Sequence, residues 1–168
     1  MRFISAPFSA TLFAVGLLLA ACSSDPEVAA TADTGGASST AAATDTGQVS
    51  PGSMEDFVVN VGDRVFFDYD QYDLTTEAQA QLEKQAAWMQ QFPAVTLSVE
   101  GHCDERGTRE YNLALGERRA NAVTNYLVAL GVDPNRLQTI SYGKERPEML
   151  GSDESAWAQN RRAVSVVN

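Results

Sequence analysis

The sequence predicts an α+β fold, a two-layer α/β sandwich with helices on one face of a small sheet, over residues from about Glu55 to Asn168. Three observations predict it. Residues 75–91 carry apolar side chains at helical spacing. Val95, Leu97 and Val99 alternate with Thr96, Ser98 and Glu100, the period of a half-buried strand. A second helical stretch, from about Asn112 to Leu130, leads into strand-like Leu137 to Tyr142.

Taken in chain order, the elements read βαβαββ. Phe57 to Phe67 contains two strand-like stretches, Val58, Val59, Val61 and then Val65, Phe66, Phe67, because β-branched and aromatic side chains suit a pleated surface. The first helix opens on a capping box, Thr76 with Gln79, and Pro93 ends it. Ala78, Leu82, Ala86 and Met89 line its inner face. Gly131 closes the second helix. A short helix fits Glu154 to Gln159, and Ala163 to Val167 reads as the last strand. No internal repeat is visible.

The first 21 residues read as an export signal. Met1-Arg2 is basic, and Phe8 to Ala21 is an apolar run too short for a stable membrane span. It ends in Leu19-Ala20-Ala21-Cys22, which resembles the lipobox of bacterial lipoproteins. That resemblance implies cleavage before Cys22 and acylation of it, with about 0.8 kcal/mol of membrane affinity per buried methylene. Ser23, where an Asp would imply inner-membrane retention, implies the outer membrane. Residues 22–54 form the lipidated cysteine and a tether of small and polar residues that cannot bury enough apolar surface to order itself. Its reach is on the order of 100 Å extended and about 30 Å as a coil.

The composition narrows the function. With 44% apolar residues the chain can build a core. A formal net charge of −10 argues against nucleic-acid partners and against a basic patch on anionic lipid. A small zwitterionic or cationic ligand stays compatible. With Cys22 assigned to lipid, Cys103 is unpaired, and a disulfide framework is excluded.

The second helix holds an anomaly. Leu115, Ala122, Val123, Tyr126 and Leu130 share an apolar arc, and Arg119 lies near its middle, with Asn112 on the same side. An inward guanidinium is costly unless partnered. It is either half of a structural ion pair or a fork of donors for a bidentate carboxylate. The loop at Glu100 to Gly107, at a strand end, supplies Asp104. Asp104 could pair with Arg119, or the two could divide a zwitterion between them, carboxylate to Arg119 and amine to Asp104.

Four segments carry a resemblance: Glu100-Gly-His-Cys-Asp-Glu-Arg-Gly107, Glu110 to Val123, Ser141-Tyr-Gly-Lys-Glu-Arg-Pro147 and Asn160-Arg-Arg-Ala163. With Phe66 to Asp73 they resemble the family with OmpA-like C-terminal domains, over essentially all of residues 64–167. The lipobox and tether suit its lipid-anchored branch. The resemblance implies a small mixed four-stranded sheet and a ligand, the peptidoglycan stem peptide, gripped at diaminopimelate by Asp104 and Arg119. It also implies that Phe67 and Asp68 contribute, in part through backbone, that Asn112 and Leu115 line the site, and that Asn160 and Arg161 close it. Gly116 stands where the family often has Ser, which leaves this assignment intact. The implied partners are outer-membrane lipid through Cys22 and the Tol system, above all TolB, with Glu105, Arg106 and Tyr111 as surface candidates by position. No cofactor and no metal is implied.

Two rival readings are weaker. His102, Cys103 and Asp104 are consecutive, and neighbours in an extended chain point to opposite faces, so they form no nucleophile–base chain. The His102 ring is expected instead to hydrogen-bond within the strand-end loop. Asp68, Asp70 and Asp73 lack the central Gly and terminal Glu of a calcium loop.

Overall fold

The computed structural model describes residues 49–168. The export signal, Cys22 and all but the end of the tether lie outside the described residues. The order of elements is α1 (Met54–Asp56) continuing as a π-helical turn (Phe57–Val61), β1 (Arg64–Phe66), α2 (Thr76–Gln91), β2 (Leu97–His102), α3 (Arg109–Ala129), β3 (Leu137–Gly143), α4 (Glu154–Asn160) and β4 (Arg162–Val167).

The sheet runs β1-β4-β2-β3. β4 is antiparallel to both β1 and β2, whereas β2 and β3 are parallel, with Leu97 opposite Leu137 and Val99 opposite Thr139. The sheet is thus mixed and four-stranded, as the resemblance implied. Val65, Leu97, Val99 and Ala163 point to the layer made by Leu82, Ala86 and Met89 of α2 and Ala120, Val123 and Leu127 of α3. Each residue in this set is buried, and such burial contributes about 1.5–3 kcal/mol for a large side chain.

Five local expectations need correction. Val58, Val59 and Val61 are not a strand. Ser53 caps the turn, accepting from the Asp56 N–H at 3.1 Å. Asp56 also accepts from the indole of Trp88 at 2.9 Å, and the Phe57 ring packs 4.7 Å from Trp88. That tertiary anchor outweighs β-propensity and leaves Val59 71% exposed. Gly62, at φ 94°, ends the turn by donating to the Phe57 carbonyl.

The α2 cap is Thr75, not Thr76: its hydroxyl accepts from Ala78 N–H at 3.2 Å, and the Gln79 side chain donates to the Leu74 carbonyl. The second helix begins three residues earlier than expected, because Gly107 at φ 87° turns the chain and Thr108 caps it. Its buried stripe is also shifted. Leu115, Gly116, Arg119, Ala120, Val123 and Leu127 are buried, whereas Ala122, Tyr126 and Leu130 lie half-buried at the edges. Finally, β2 is not half-buried. As a central strand it buries Ser98 and His102 as well as Leu97 and Val99.

α3 reaches β2 through two glycines. A Cβ on Gly101 would collide with the Gly116 carbonyl, and one on Gly116 would sit 2.9 Å from the Gly101 carbonyl and against Ser141 Oγ. Gly116 is therefore more than a neutral departure: helix backbone rests on strand backbone there. Gly101→Ala should force the layers apart and destabilise the domain by about 3 kcal/mol, the upper range for overpacking. Urea unfolding reads this directly, and an unchanged midpoint would refute the close approach.

Candidate functional site

A polar cavity of about 210 Å³ opens beyond the carboxyl end of β2, where α/β sheets commonly bind ligands. Three segments wall it. The loop after β1 brings Tyr69 and Asp70, the β2–α3 loop brings Cys103, Asp104, Arg106 and Gly107, and α3 brings Tyr111, Asn112, Leu115 and Arg119.

Arg119 is completely buried. Its Nε donates to the Gln71 carbonyl at 2.8 Å, Nη1 to the His102 carbonyl at 2.8 Å and Nη2 to the Asp68 carbonyl at 3.2 Å. The guanidinium lies 5.1 Å over the Phe67 ring. It makes no ion pair among the described residues. The two outcomes the sequence left open, an internal Asp104–Arg119 bridge or a receiving cation, thus separate: the bridge is not formed. Burial lowers the pKa of Arg119 from its ordinary value, with nearby Asp104 opposing. Three carbonyl dipoles orient the charge without neutralising it, and the guanidinium has more N–H donors than these bonds use.

Asp104 is the counterpart. Its carboxylate is nearly buried and takes a two-pronged contact from Arg106, Nη2 to Oδ2 at 2.6 Å and Nε to Oδ1 at 3.2 Å. Arg106 N–H adds a bond at 3.1 Å, and Arg161 Nη1 stands 3.5 Å from Oδ2. Burial alone would raise its pKa. The bonds from Arg106 and the charge of Arg161 outweigh that and hold the carboxyl below its ordinary range.

The remaining expected residues divide. Leu115 lines the cavity as apolar wall. Asn112, also in the wall, donates to the Arg106 carbonyl at 2.7 Å and the Thr108 carbonyl at 3.0 Å, fixing the loop that bears Asp104. Phe67 is the floor under Arg119. Asp68 contributes its carbonyl, and its exposed side chain faces a neighbouring cleft shared with Phe67 and Arg161. Arg161 reaches the site through Asp104 while also holding Glu154 at 2.7 Å and the Phe67 carbonyl at 3.0 Å. Asn160 does not close the cavity. Its buried amide accepts from Glu148 N–H and Met149 N–H and donates to the Met149 carbonyl, so it pins a loop elsewhere.

Among the candidates for a partner surface, Arg106 and Tyr111 line the cavity itself, and Glu105 accepts from the Trp157 indole at 3.1 Å. Tyr69 and Trp157 were not anticipated, whereas Asp70 was expected in a solvated turn with partial ligand contact. Arg106 had a readable signal, since it lies two residues beyond Asp104 in a glycine-bounded loop. Trp157 had none, because α4 reaches the site only through the tertiary fold.

Cys103 packs as a thiol. It is buried, donates to the Asn112 carbonyl at 3.3 Å, and burial pushes its pKa up to about 11. The His102 ring departs from expectation. Neither ring nitrogen makes a hydrogen bond of ordinary geometry; Nε2 stands 3.6 Å from the Glu100 carboxylate, the Arg146 backbone lies nearby, and the ring packs against Tyr142. Burial, then the charge of Arg162, pushes its pKa down to about 4 from 6.5. Between those values the unfolded chain binds the proton and the fold refuses it, so stability falls as pH drops through that window. The loss approaches about 3 kcal/mol near pH 4. His102→Leu should flatten this slope in urea titrations at pH 7 and pH 4.5, and an identical slope in both proteins would exclude His102 as its source.

The OmpA family description matches residues 66–162. The peptidoglycan-associated lipoprotein of Rhizobium meliloti is 57% identical over 121 residues, covering 72% of this chain and 69% of the relative. That of Brucella melitensis is 55% identical over 122 residues, 73% of each. The crystal structure of the peptidoglycan-associated lipoprotein from Burkholderia pseudomallei superposes with a TM-score of 0.62 at 45% identity, over 63% of this chain and 90% of that one. By this match over residues 66–162 and the identity to these relatives, the chain belongs to the OmpA family, in its peptidoglycan-associated lipoprotein branch.

Proposed function

We propose that this is an outer-membrane lipoprotein whose periplasmic domain binds peptidoglycan non-covalently and catalyses no reaction. The group recognised is the free zwitterionic end of diaminopimelate in the stem peptide. One observation carries the reading: a fully buried guanidinium, oriented by three backbone carbonyls and paired with no acid among the described residues, faces a polar cavity. The ligand carboxylate completes Arg119, and its ammonium goes to Asp104, which is held ionised. Leu115 and Phe67 keep water from competing, and Asn112 fixes the loop. The names of the relatives support the same wall-binding role.

In this reading the anchor at Cys22 and the tether let many domains sample a dense array of stems, so modest single-site affinity still retains the outer membrane on the wall. The Tol components join it in envelope integrity and division. TolB would dock on the exposed rim formed by Tyr69, Tyr72 and Tyr111. Such docking overlaps the cavity, so free diaminopimelate should compete with it.

The direct test is titration of the protein with a diaminopimelate-containing muropeptide and with its lysine counterpart. Lysine keeps the ammonium and lacks the second carboxylate. One charge-assisted contact amounts to about 1.5–3 kcal/mol, so the lysine form should bind at least about tenfold more weakly. Equal affinity for both would remove Arg119 from recognition.

A further inference from the structure

The cation that holds Asp104 is the protein's own. The Arg106 guanidinium grips Asp104 through two nitrogens, at 2.6 and 3.2 Å, and is sandwiched between Tyr69 and Trp157, 4.1 Å from each ring centroid. It also lines the cavity with Arg119. An anionic carboxylate flanked by two aromatic faces is the environment that receives an organic ammonium. In this fold a side chain already fills it.

The loop backbone around Arg106 is tied down independently of that side chain. Asn112 holds the Arg106 and Thr108 carbonyls, and Lys144 Nζ donates to the Glu105 carbonyl at 3.1 Å and the Gly107 carbonyl at 2.7 Å. The guanidinium can therefore leave by rotation about its own side-chain bonds, with the loop in place. After it leaves, Asp104 keeps the Arg106 N–H and the more distant Arg161.

We infer that Arg106 is an intramolecular stand-in for the ligand's ammonium, which occupies the Asp104 carboxylate and the Tyr69–Trp157 slot until a ligand cation takes both from it. This deepens the proposed wall-binding reading and rests on it. The consequence is a division of labour. At Asp104 one cation replaces another, so that contact adds little net affinity and acts as a filter, since a ligand without a cation cannot displace the plug. At Arg119 no acidic side chain has to be displaced, and that contact supplies most of the affinity. Arg106 is in this sense a specificity-determining residue.

The test uses the full chain, a synthetic stem peptide containing diaminopimelate, and the same peptide acetylated on its free side-chain amine, followed by calorimetry and tryptophan fluorescence. Wild type should bind the free-amine peptide with a fluorescence change as the guanidinium leaves Trp157, and the acetylated peptide should give none. Arg106→Gln should bind the free-amine peptide about tenfold more tightly, since one charge-assisted competitor is gone, and with a smaller change in fluorescence. Weaker binding by Arg106→Gln would make Arg106 a ligand contact and overturn the inference. So would unchanged affinity with an unchanged fluorescence response. Either result would leave the wall-binding reading standing, whereas failure of wild type to bind the free-amine peptide would overturn both.

Discussion

Arg119→Ala is expected to abolish sedimentation with purified diaminopimelate wall, and Arg119→Lys to recover only part of it. The alanine variant removes the cation that meets the ligand carboxylate, about 10-fold to 150-fold in affinity for one charge-assisted contact. It also removes the donor to the carbonyls of Gln71 and His102, while the Asp68 carbonyl keeps the Gln71 N–H, and losing the buried bond to His102 costs about 1–3 kcal/mol. The lysine variant separates the two effects. It keeps a charge in the same place without the planar fork that serves three carbonyls and a carboxylate together. Sedimentation and urea unfolding should be read on both variants. Full wall binding by Arg119→Ala would sink the site, whereas weakened binding by a stably folded Arg119→Lys points to recognition.

Cys22→Ser should remove processed protein from the outer-membrane fraction. A single saturated chain gives only marginal attachment, and the anchor inferred for Cys22 places several chains on one residue, at about 0.8 kcal/mol per buried methylene. Removal of the thiol prevents the first acylation and the cleavage that follows it, so the protein should move to the soluble fraction or persist as an uncut precursor. Quantitative recovery of a processed protein with the outer membrane would disprove the anchor. The folded domain, with its own core from Phe57 to Val167, should keep binding wall fragments in solution, which separates anchoring from recognition.

How far the sequence reached differs element by element. The inner face of α2 was legible because Ala78, Leu82, Ala86 and Met89 repeat at helical spacing, and all four are buried. The Val-rich stretch after Phe57 was misread because local propensity favours a strand there, and the contacts that overrule it come from Trp88, over thirty residues away. The site shows the same split. Arg119 stood out as a charge in an apolar arc, and Asp104 as a carboxylate at a strand end. Their relation did not, since pairing between them would have matched the sequence equally well.

By itself the sequence determined the class of fold, the order of its elements from β1 onward, the inward-facing cation and the family. Those follow from periodicity and short motifs, which are properties of neighbours along the chain. Only the tertiary structure decided that β4 slots between β1 and β2, that Asn160 faces away from the cavity, and that Arg106 rather than Arg119 holds Asp104. Each of these depends on segments distant in sequence meeting in space, where burial and geometry choose among partners that a linear pattern leaves equivalent.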